Sequence, residues 1–344
     1  MQTKILRINP ITPQISKIRQ ASKIIKSGNL VAFPTETVYG LGANALDPKS
    51  IKKIFEVKGR PSDNPLIIHI SDVADLGMLV VHIPDTAYKL IDKFWPGPLT
   101  LVLKKSKIVP KITTGGMNTV AVRMPENKIA QILIRESGVP IAAPSANISG
   151  RPSPTTSEHV LDDLSGKISM IIDGGKTKIG IESTIVDLSK KNPMLLRPGS
   201  VTLEQLQDVI GKITIHPILQ ERKTKLVHRS PGMKYRHYSP NAKIILIEGS
   251  KDKANDKILH LLAQFKKQGK KVGVMSTENF VYDSDVTIFI GSNFDVIAAN
   301  LFKTFREFDA RKVDIVLACG INRKGLGLGI MNRLGKAAYK KIKV

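Results

Sequence analysis

Four stretches of the 344-residue chain concentrate the residue types that bind and transform small charged molecules. In Phe33-Pro34-Thr35-Glu36-Thr37-Val38-Tyr39-Gly40-Leu41-Gly42 a short apolar run enters a turn crowded with hydroxyls and one carboxylate. The glycines that follow admit close backbone approach. In Lys58-Gly59-Arg60-Pro61-Ser62-Asp63-Asn64-Pro65-Leu66-Ile67-Ile68-His69 two cations flank a glycine, and Pro61 stops the preceding helical pattern. Lysine supplies a point charge, arginine a bidentate fork and Asn64 an amide, a set that suits a triphosphate. A lone K-x-R is nevertheless common, and His69 at the end of a buried run reads by itself as structural.

The third stretch, Ala143-Pro144-Ser145-Ala146-Asn147-Ile148-Ser149-Gly150, is again an apolar run entering a polar turn. Ser145 and Asn147 offer donors and acceptors, but a serine nucleophile needs a positioned base. No G-x-S-x-G pattern and no Ser–His–Asp order is evident, so Ser145 is expected to touch a ligand rather than form an acyl-enzyme. The fourth set is scattered: Arg123 ends one apolar run, Glu182-Ser183-Thr184 opens another, and Arg197-Pro198-Gly199 closes a third. Each is bland alone; together they add two guanidinium groups beside the hydroxyl-rich turns. The chain has no P-loop, H-E-x-x-H or C-x-x-C, so neither a Walker-type ATPase nor a tightly held protein metal site is expected.

Positioning these residues falls to alternating helical and strand patterns over residues 1–212. Ile15, Ile18, Ala21 and Ile25 recur at helical spacing, with Gly28 as the stop. Strands are expected at Leu30–Phe33, Leu66–Ile70, Leu99–Leu103, Thr119–Met124, Ile141–Ala143, Met170–Ile172, Ser183–Leu188 and Met194–Arg197. Helices are expected at Lys49–Val57, Pro84–Phe94, Lys128–Ser137 and Leu203–Ile210. That is an α/β domain with a twisted, mixed sheet. Residues 213–242 break the rhythm with a basic, Pro- and Gly-containing run that includes Tyr235, Arg236, His237 and Tyr238, more aromatic and cationic than a plain linker. Residues 243–344 resume a βα series, read as a smaller doubly wound, Rossmann-like domain. It lacks G-x-G-x-x-G after its first strand, and Gly325, Gly327 and Gly329 are expected in a loop before a helix.

Composition narrows the class. With 42% hydrophobic and 24% charged residues the chain is that of a soluble globular protein. Residues 1–14 show no apolar signal-peptide core, no stretch reaches a bilayer span, and a single cysteine, Cys319, excludes an intramolecular disulfide. A cytoplasmic location without membrane attachment is expected. The net charge of +24 divides as +10 over residues 1–212, +5 over 213–242 and +9 over 243–344. A charge so evenly spread reads as a lysine-rich solvated surface, with an electrostatic footprint for polyanions as the alternative.

Thr35-Glu36-Thr37-Val38-Tyr39-Gly40-Leu41, the pair Lys58/Arg60 and the pair Ser145/Asn147 resemble the signature elements of the YrdC-like family over residues 10–212. Ser230-Pro231-Gly232-Met233-Lys234-Tyr235-Arg236-His237-Tyr238, the second domain and Met331-Asn332-Arg333 are similar to its two-domain branch, the long-form L-threonylcarbamoyladenylate synthases. The resemblance implies a nucleotidyltransferase that makes threonylcarbamoyl-AMP from ATP, L-threonine and bicarbonate or CO2, releasing pyrophosphate. Its product goes to a threonylcarbamoyl transferase acting on tRNA, with a weak tRNA contact of its own. By position, Lys58, Arg60, Asn64, Thr119, Ser145, Asn147, Ser153 and Arg197 would meet ATP, with Lys58 and Arg60 catalytic. Thr35, Thr37, His69, Arg123, Ala143 and Ser183 would hold threonine. Tyr235, His237 and Tyr238 would cover the nucleotide from the linker, and Mg2+ would ride on the phosphates.

Two rival readings follow from the residues. A basic RNA-binding or ribosome-assembly protein would show a steep salt dependence and no ATP turnover. A carbamoyl transferase using carbamoyl phosphate would need further segments, such as zinc fingers, that one cysteine cannot build.

Overall fold

The computed structural model describes residues 2–220 and 237–344. The chain divides into a first unit of residues 1–149 and 153–235, and a second of residues 150–152 and 236–344.

In the first unit the strands are β1 (Lys4–Arg7), β2 (Val31–Phe33), β3 (Gly40–Asn44), β4 (Ile67–His69), β5 (Leu99–Lys104) and β6 (Thr119–Arg123). They continue with β7 (Ile141–Ala142), β8 (Met170–Asp173), β9 (Thr184–Asp187), β10 (Met194–Arg197) and β11 (Thr214–Ile215). Their order across the sheet is β1-β8-β2-β3-β7-β4-β6-β5-β9-β10-β11. Pairing is mixed: β4 and β6 run parallel, whereas β5 and β6 are antiparallel. The first sheet therefore runs on to Ile215, three residues past the expected boundary at 212.

Helices α1 (Ile15–Lys26), α2 (Pro48–Lys58), α3 (Leu76–Leu79), α4 (Asp85–Phe94), α5 (Lys128–Ser137), α6 (Ser157–Leu164) and α7 (Leu203–Ile210) join these strands. Their ends follow from local chemistry. Asp47 caps α2 through the Lys49 and Ser50 amides with Pro48 behind it, Asn127 caps α5, and Thr202 with Gln205 forms a capping box on α7. Ile18, Ala21 and Ile25 of α1 meet Ile129, Leu133 and Ile134 of α5 against Val31, Phe33 and Ile172 of the sheet. Each such fully buried aliphatic side chain stabilises the fold by about 1.5–3 kcal/mol. A second cluster, Ile67, Val102, Ala121, Ile185 and Leu196, lies along neighbouring strands β4, β6, β5, β9 and β10.

The second unit holds a parallel sheet of β12 (Lys243–Glu248), β13 (Val272–Ser276), β14 (Val286–Phe289), β15 (Ile315–Cys319) and β16 (Lys340–Lys343), in the order β14-β13-β15-β12-β16. Helix α8 (Lys251–Lys267) follows β12, α9 (Phe294–Ala310) follows β14 and α10 (Leu326–Ala337) follows β15. The glycine series is not a loop: Gly327 and Gly329 lie inside α10, and only Gly325, at φ 55°, precedes it. A Cβ on Gly327 would fall 1.9 Å from the Asn322 carbonyl oxygen, so the close turn before α10 demands glycine there. Among the described residues no helix is long and apolar enough to cross a membrane.

Candidate active site

The K-x-R pair is built by a helix end. Gly59 adopts the left-handed conformation, φ 59°, and terminates α2 directly after Lys58. Lys58 is 2% exposed, and its Nζ donates to the Ser145 carbonyl at 2.6 Å and to that of Asn147. The Lys58 carbonyl in turn accepts the Ser149 amide at 2.8 Å. Lys58 thus fastens the end of α2 to the turn after β7. Burial, then the neighbouring Arg60 charge, holds its pKa well below the usual lysine range, against an opposing pull from Asp163. In the fastened turn Ser145 Oγ donates to Asn147 Oδ1 at 2.5 Å, and Asn147 Nδ2 to the Ile148 carbonyl at 2.8 Å.

Arg60 leaves the same cap and donates to the Pro65 carbonyl at 3.0 Å. Beside it Asn64 is buried, and its Nδ2 finds no partner within the protein. Continuing the register of β4 with β6, where Ile67 pairs with Ala121, places Thr119 level with Pro65. Arg60, Asn64 and Thr119 therefore share one end of this strand pair.

At the other end stand His69 and Arg123, paired in register. Arg123 donates to Glu36 Oε1 at 2.5 Å, to Thr37 Oγ1 at 2.9 Å and to the Gly97 carbonyl at 3.2 Å. Thr35 Oγ1 lies 2.8 Å from Thr37 Oγ1 and donates to the Val38 carbonyl at 2.7 Å, closing the turn on itself. Glu36 is a residue the sequence reading left out of the site. Its signal was its place as the one carboxylate in a hydroxyl-rich turn. Glu36 Oε2 and His69 Nδ1 are buried without protein partners. Burial, and then the Arg123 charge, lowers the His69 pKa to about 3, so the ring is neutral at pH 7. Phe33 meets that ring edge-on at 6.3 Å. Ala143 lies on the neighbouring strand path, its amide bonded to the Ile67 carbonyl at 2.9 Å.

A third group adjoins across β5. Arg197 donates to the Ser183 carbonyl at 2.9 Å and to its Oγ at 3.0 Å, and Ser183 Oγ lies 2.8 Å from Thr100 Oγ1. Ser153 Oγ donates to Glu182 Oε1 at 2.5 Å. Thr100, a mid-strand threonine, carried no sequence signal. The first unit thus gathers Thr35, Thr37, His69, Arg123, Ser183 and Arg197 along adjoining strand ends, with Lys58, Arg60, Asn64, Ser145 and Asn147 on the turns after α2 and β7. His237 and Tyr238 belong to the second unit, where Tyr238, at φ 65°, stacks on Phe302 at 5.2 Å beneath the Arg333 guanidinium. Tyr235 lies outside the described residues.

The chemistry of the first-unit site is that of binding, not covalent attack. Hydroxyls, amides and three guanidinium groups line these strand ends and turns, and among the described residues of the site no serine is paired with a histidine base. The carboxylates at hand, Glu36 and Glu182, are each engaged by a donor.

Comparison with known proteins identifies the family. The Sua5/YciO/YrdC family profile, described as telomere recombination, matches residues 23–199, and the C-terminal domain profile of threonylcarbamoyl-AMP synthase matches residues 201–339. A threonylcarbamoyl-AMP synthase of Pyrococcus abyssi is 56% identical over 95% of this chain and 96% of its own length. One from Bacillus subtilis is 48% identical over 94% and 93%. The crystal structure of Pyrococcus abyssi Sua5 complexed with L-threonine superposes with a TM-score of 0.95 at 54% identity, covering 99% of this chain and all of that one. With both of its parts matched along nearly the whole length, the chain belongs to the Sua5/YciO/YrdC family, in the two-domain form.

Proposed function

We infer that the chain is a threonylcarbamoyl-AMP synthase, supplying the activated intermediate for threonylcarbamoyladenosine modification of tRNA from ATP, L-threonine and bicarbonate or CO2. The observation that carries the reading is the pair of arginine centres at opposite ends of β4 and β6. Thr119 and Arg123 are four residues apart on β6, roughly 13 Å at about 3.3 Å per residue. Each centre has a buried polar atom without a protein partner, Asn64 Nδ2 at one and His69 Nδ1 at the other. Two anionic reactants can lie along the strands, each with its own arginine.

On this reading Arg60, Asn64, Thr119, Ser145, Asn147, Ser153 and Arg197 hold ATP, and Thr35, Thr37, His69, Arg123, Ala143 and Ser183 hold threonine. Arg123 has five N–H groups and three are engaged within the protein, leaving two for a carboxylate. His69, neutral, offers a ring nitrogen that can accept from threonine's hydroxyl or amine. The amine captures CO2 as a carbamate with loss of a proton. A carbamate oxygen then attacks the α-phosphorus, forming the mixed anhydride as the bond to pyrophosphate breaks. No enzyme-bound intermediate is needed: the residues orient two anions and screen their repulsion.

Among the described residues no three His, Cys, Asp or Glu side chains converge as a metal-binding group. Mg2+ would ride on the nucleotide's phosphates, where it would neutralise charge as pyrophosphate departs. Residues 1–212 serve as the catalytic domain, 213–242 as a linker whose Tyr235, His237 and Tyr238 cover the nucleotide, and 243–344 as a second domain. The product passes to a threonylcarbamoyl transferase acting on tRNA, and a weak tRNA contact accompanies the hand-over. The test is isotopic: carbon from labelled bicarbonate should appear in an AMP adduct only when threonine and ATP are both present. Label in carbamoyl phosphate products, or none, would overturn the reading.

A further inference from the structure

We propose that the second unit carries a small-molecule site of its own, a crevice at the carboxyl ends of β12, β13 and β15 that takes a ribonucleoside. The crevice follows from topology. β12 and β15 are neighbours, yet the chain leaves them for opposite faces of the sheet. From β12 it enters α8, whose Ala254, Ile258, Leu261 and Leu262 pack on Ile245, Ile247, Val272, Val274, Ile315 and Leu317. From β15 it enters α10, which packs on α9. α9 lies on the other face, where Phe308 sits so close to Gly273 that a Cβ there would be 2.6 Å from its ring. Loops that part in this way open a gap at the strand ends, the place where open α/β sheets bind ligands.

The gap encloses about 460 Å³, within the roughly 300–1,000 Å³ of small-molecule sites. One helix end and two loops line it: Lys251, Asp252 and Asn255 from the first turns of α8, Thr277, Glu278 and Phe280 after β13, and Asn322 after β15. Phe280 is 46% exposed and stands 4.7 Å from Tyr282 in an edge contact. Tyr282 is fixed by a hydrogen bond from its hydroxyl to Asn255 Oδ1 at 2.8 Å. A supported aromatic face at the rim of a polar pocket suits a flat heterocycle.

The charges decide the rest. Lys251 is the one cation of the lining and is already paired with Glu278 at 2.7 Å, while Asp252 adds a second carboxylate. A triphosphate would meet more negative charge than positive. A ribose would not: its hydroxyls donate to a carboxylate, the usual partner of a ribose beside such strand ends. Thr277, Asn255 and Asn322 supply the hydrogen bonds that a base edge requires. An amino acid would leave the aromatic platform unused.

Cys319 lines the same crevice and is the only cysteine of the chain, so its alkylation rate reports on this site alone. Adenosine at millimolar concentration should slow modification of the full-length protein by about tenfold, in keeping with a stacked base. Phe280→Ala should abolish that protection, whereas Arg60→Ala, in the first unit, should retain it. Adenosine should protect better than AMP, whose phosphate would meet the Asp252 and Glu278 carboxylates; AMP protecting better would overturn the ribonucleoside assignment. An unchanged rate with both compounds, or full protection in Phe280→Ala, would overturn the proposal. Should the thiol resist modification, hydrogen exchange over residues 249–256 and 276–282 with adenosine gives the same decision: protection there supports the site and its absence removes it.

Discussion

Arg123 and Glu36 form an ion pair at 2.5 Å with both side chains 4% exposed, joining the end of β6 to the turn between β2 and β3. The same guanidinium donates to Thr37, so one side chain sets the position of the whole Thr35–Glu36–Thr37 turn. Breaking a buried pair by removing one partner leaves an uncompensated charge and costs about 3–5 kcal/mol. Glu36→Ala should lose stability on that scale in urea unfolding, and Glu36→Gln should lose less because it still accepts the hydrogen bond. Both should raise the KM for threonine more than that for ATP. A Glu36→Ala protein as stable as wild type would show that the pair does not organise the turn.

Lys58 and Arg60 stand two residues apart yet should fail differently. Lys58 is buried and holds the Ser145 and Asn147 carbonyls, and hydrogen bonds from a charged group contribute about 1.5–3 kcal/mol each. Lys58→Ala should therefore lower the melting temperature as well as activity. Arg60 is only half-buried, so Arg60→Ala should keep the wild-type circular dichroism and melting temperature while turnover falls sharply. Near wild-type turnover in Arg60→Ala would remove the proposed phosphate role.

What the residues announced in advance was set by period and caps. α1, α2, α5 and α7 were legible because their apolar faces repeat at helical spacing between recognisable stops. β1 and β16 were not, since Lys4–Arg7 and Lys340–Lys343 are short edge strands rich in exposed cations. β3, Gly40–Asn44, hid behind its glycines: a Cβ on Gly42 would lie 2.8 Å from the Phe33 ring. In the site, cations and hydroxyls stood out by type. What Lys58 holds did not, because a buried lysine bonded to carbonyls has the same letters as one facing a phosphate. Glu36 and Thr100 acquire meaning only when sheet register brings Arg123 and Ser183 beside them.

His69 predicts a pH effect on stability. Its native pKa, about 3, lies below the unfolded value of 6.5. Between those values the unfolded chain holds the proton and the native one does not. Stability from this group is complete above pH 6.5 and falls as acid is added, by about 1.4 kcal/mol per pH unit. Going from pH 6.5 to 5, wild type should lose about 2 kcal/mol more than His69→Gln. Equal losses would mean that the ring is not buried and neutral.

The covering role proposed for the linker predicts hydrogen exchange. Protection over residues 228–240 should rise when ATP and threonine are both added. Exchange there that ignores both ligands would reduce the segment to a tether.

The central claim is that one site joins three reactants, and pyrophosphate release from ATP tests it most directly. With ATP, L-threonine and bicarbonate together the rate should be maximal, and omitting threonine or bicarbonate should each bring it to background. Undiminished release without threonine would contradict the account.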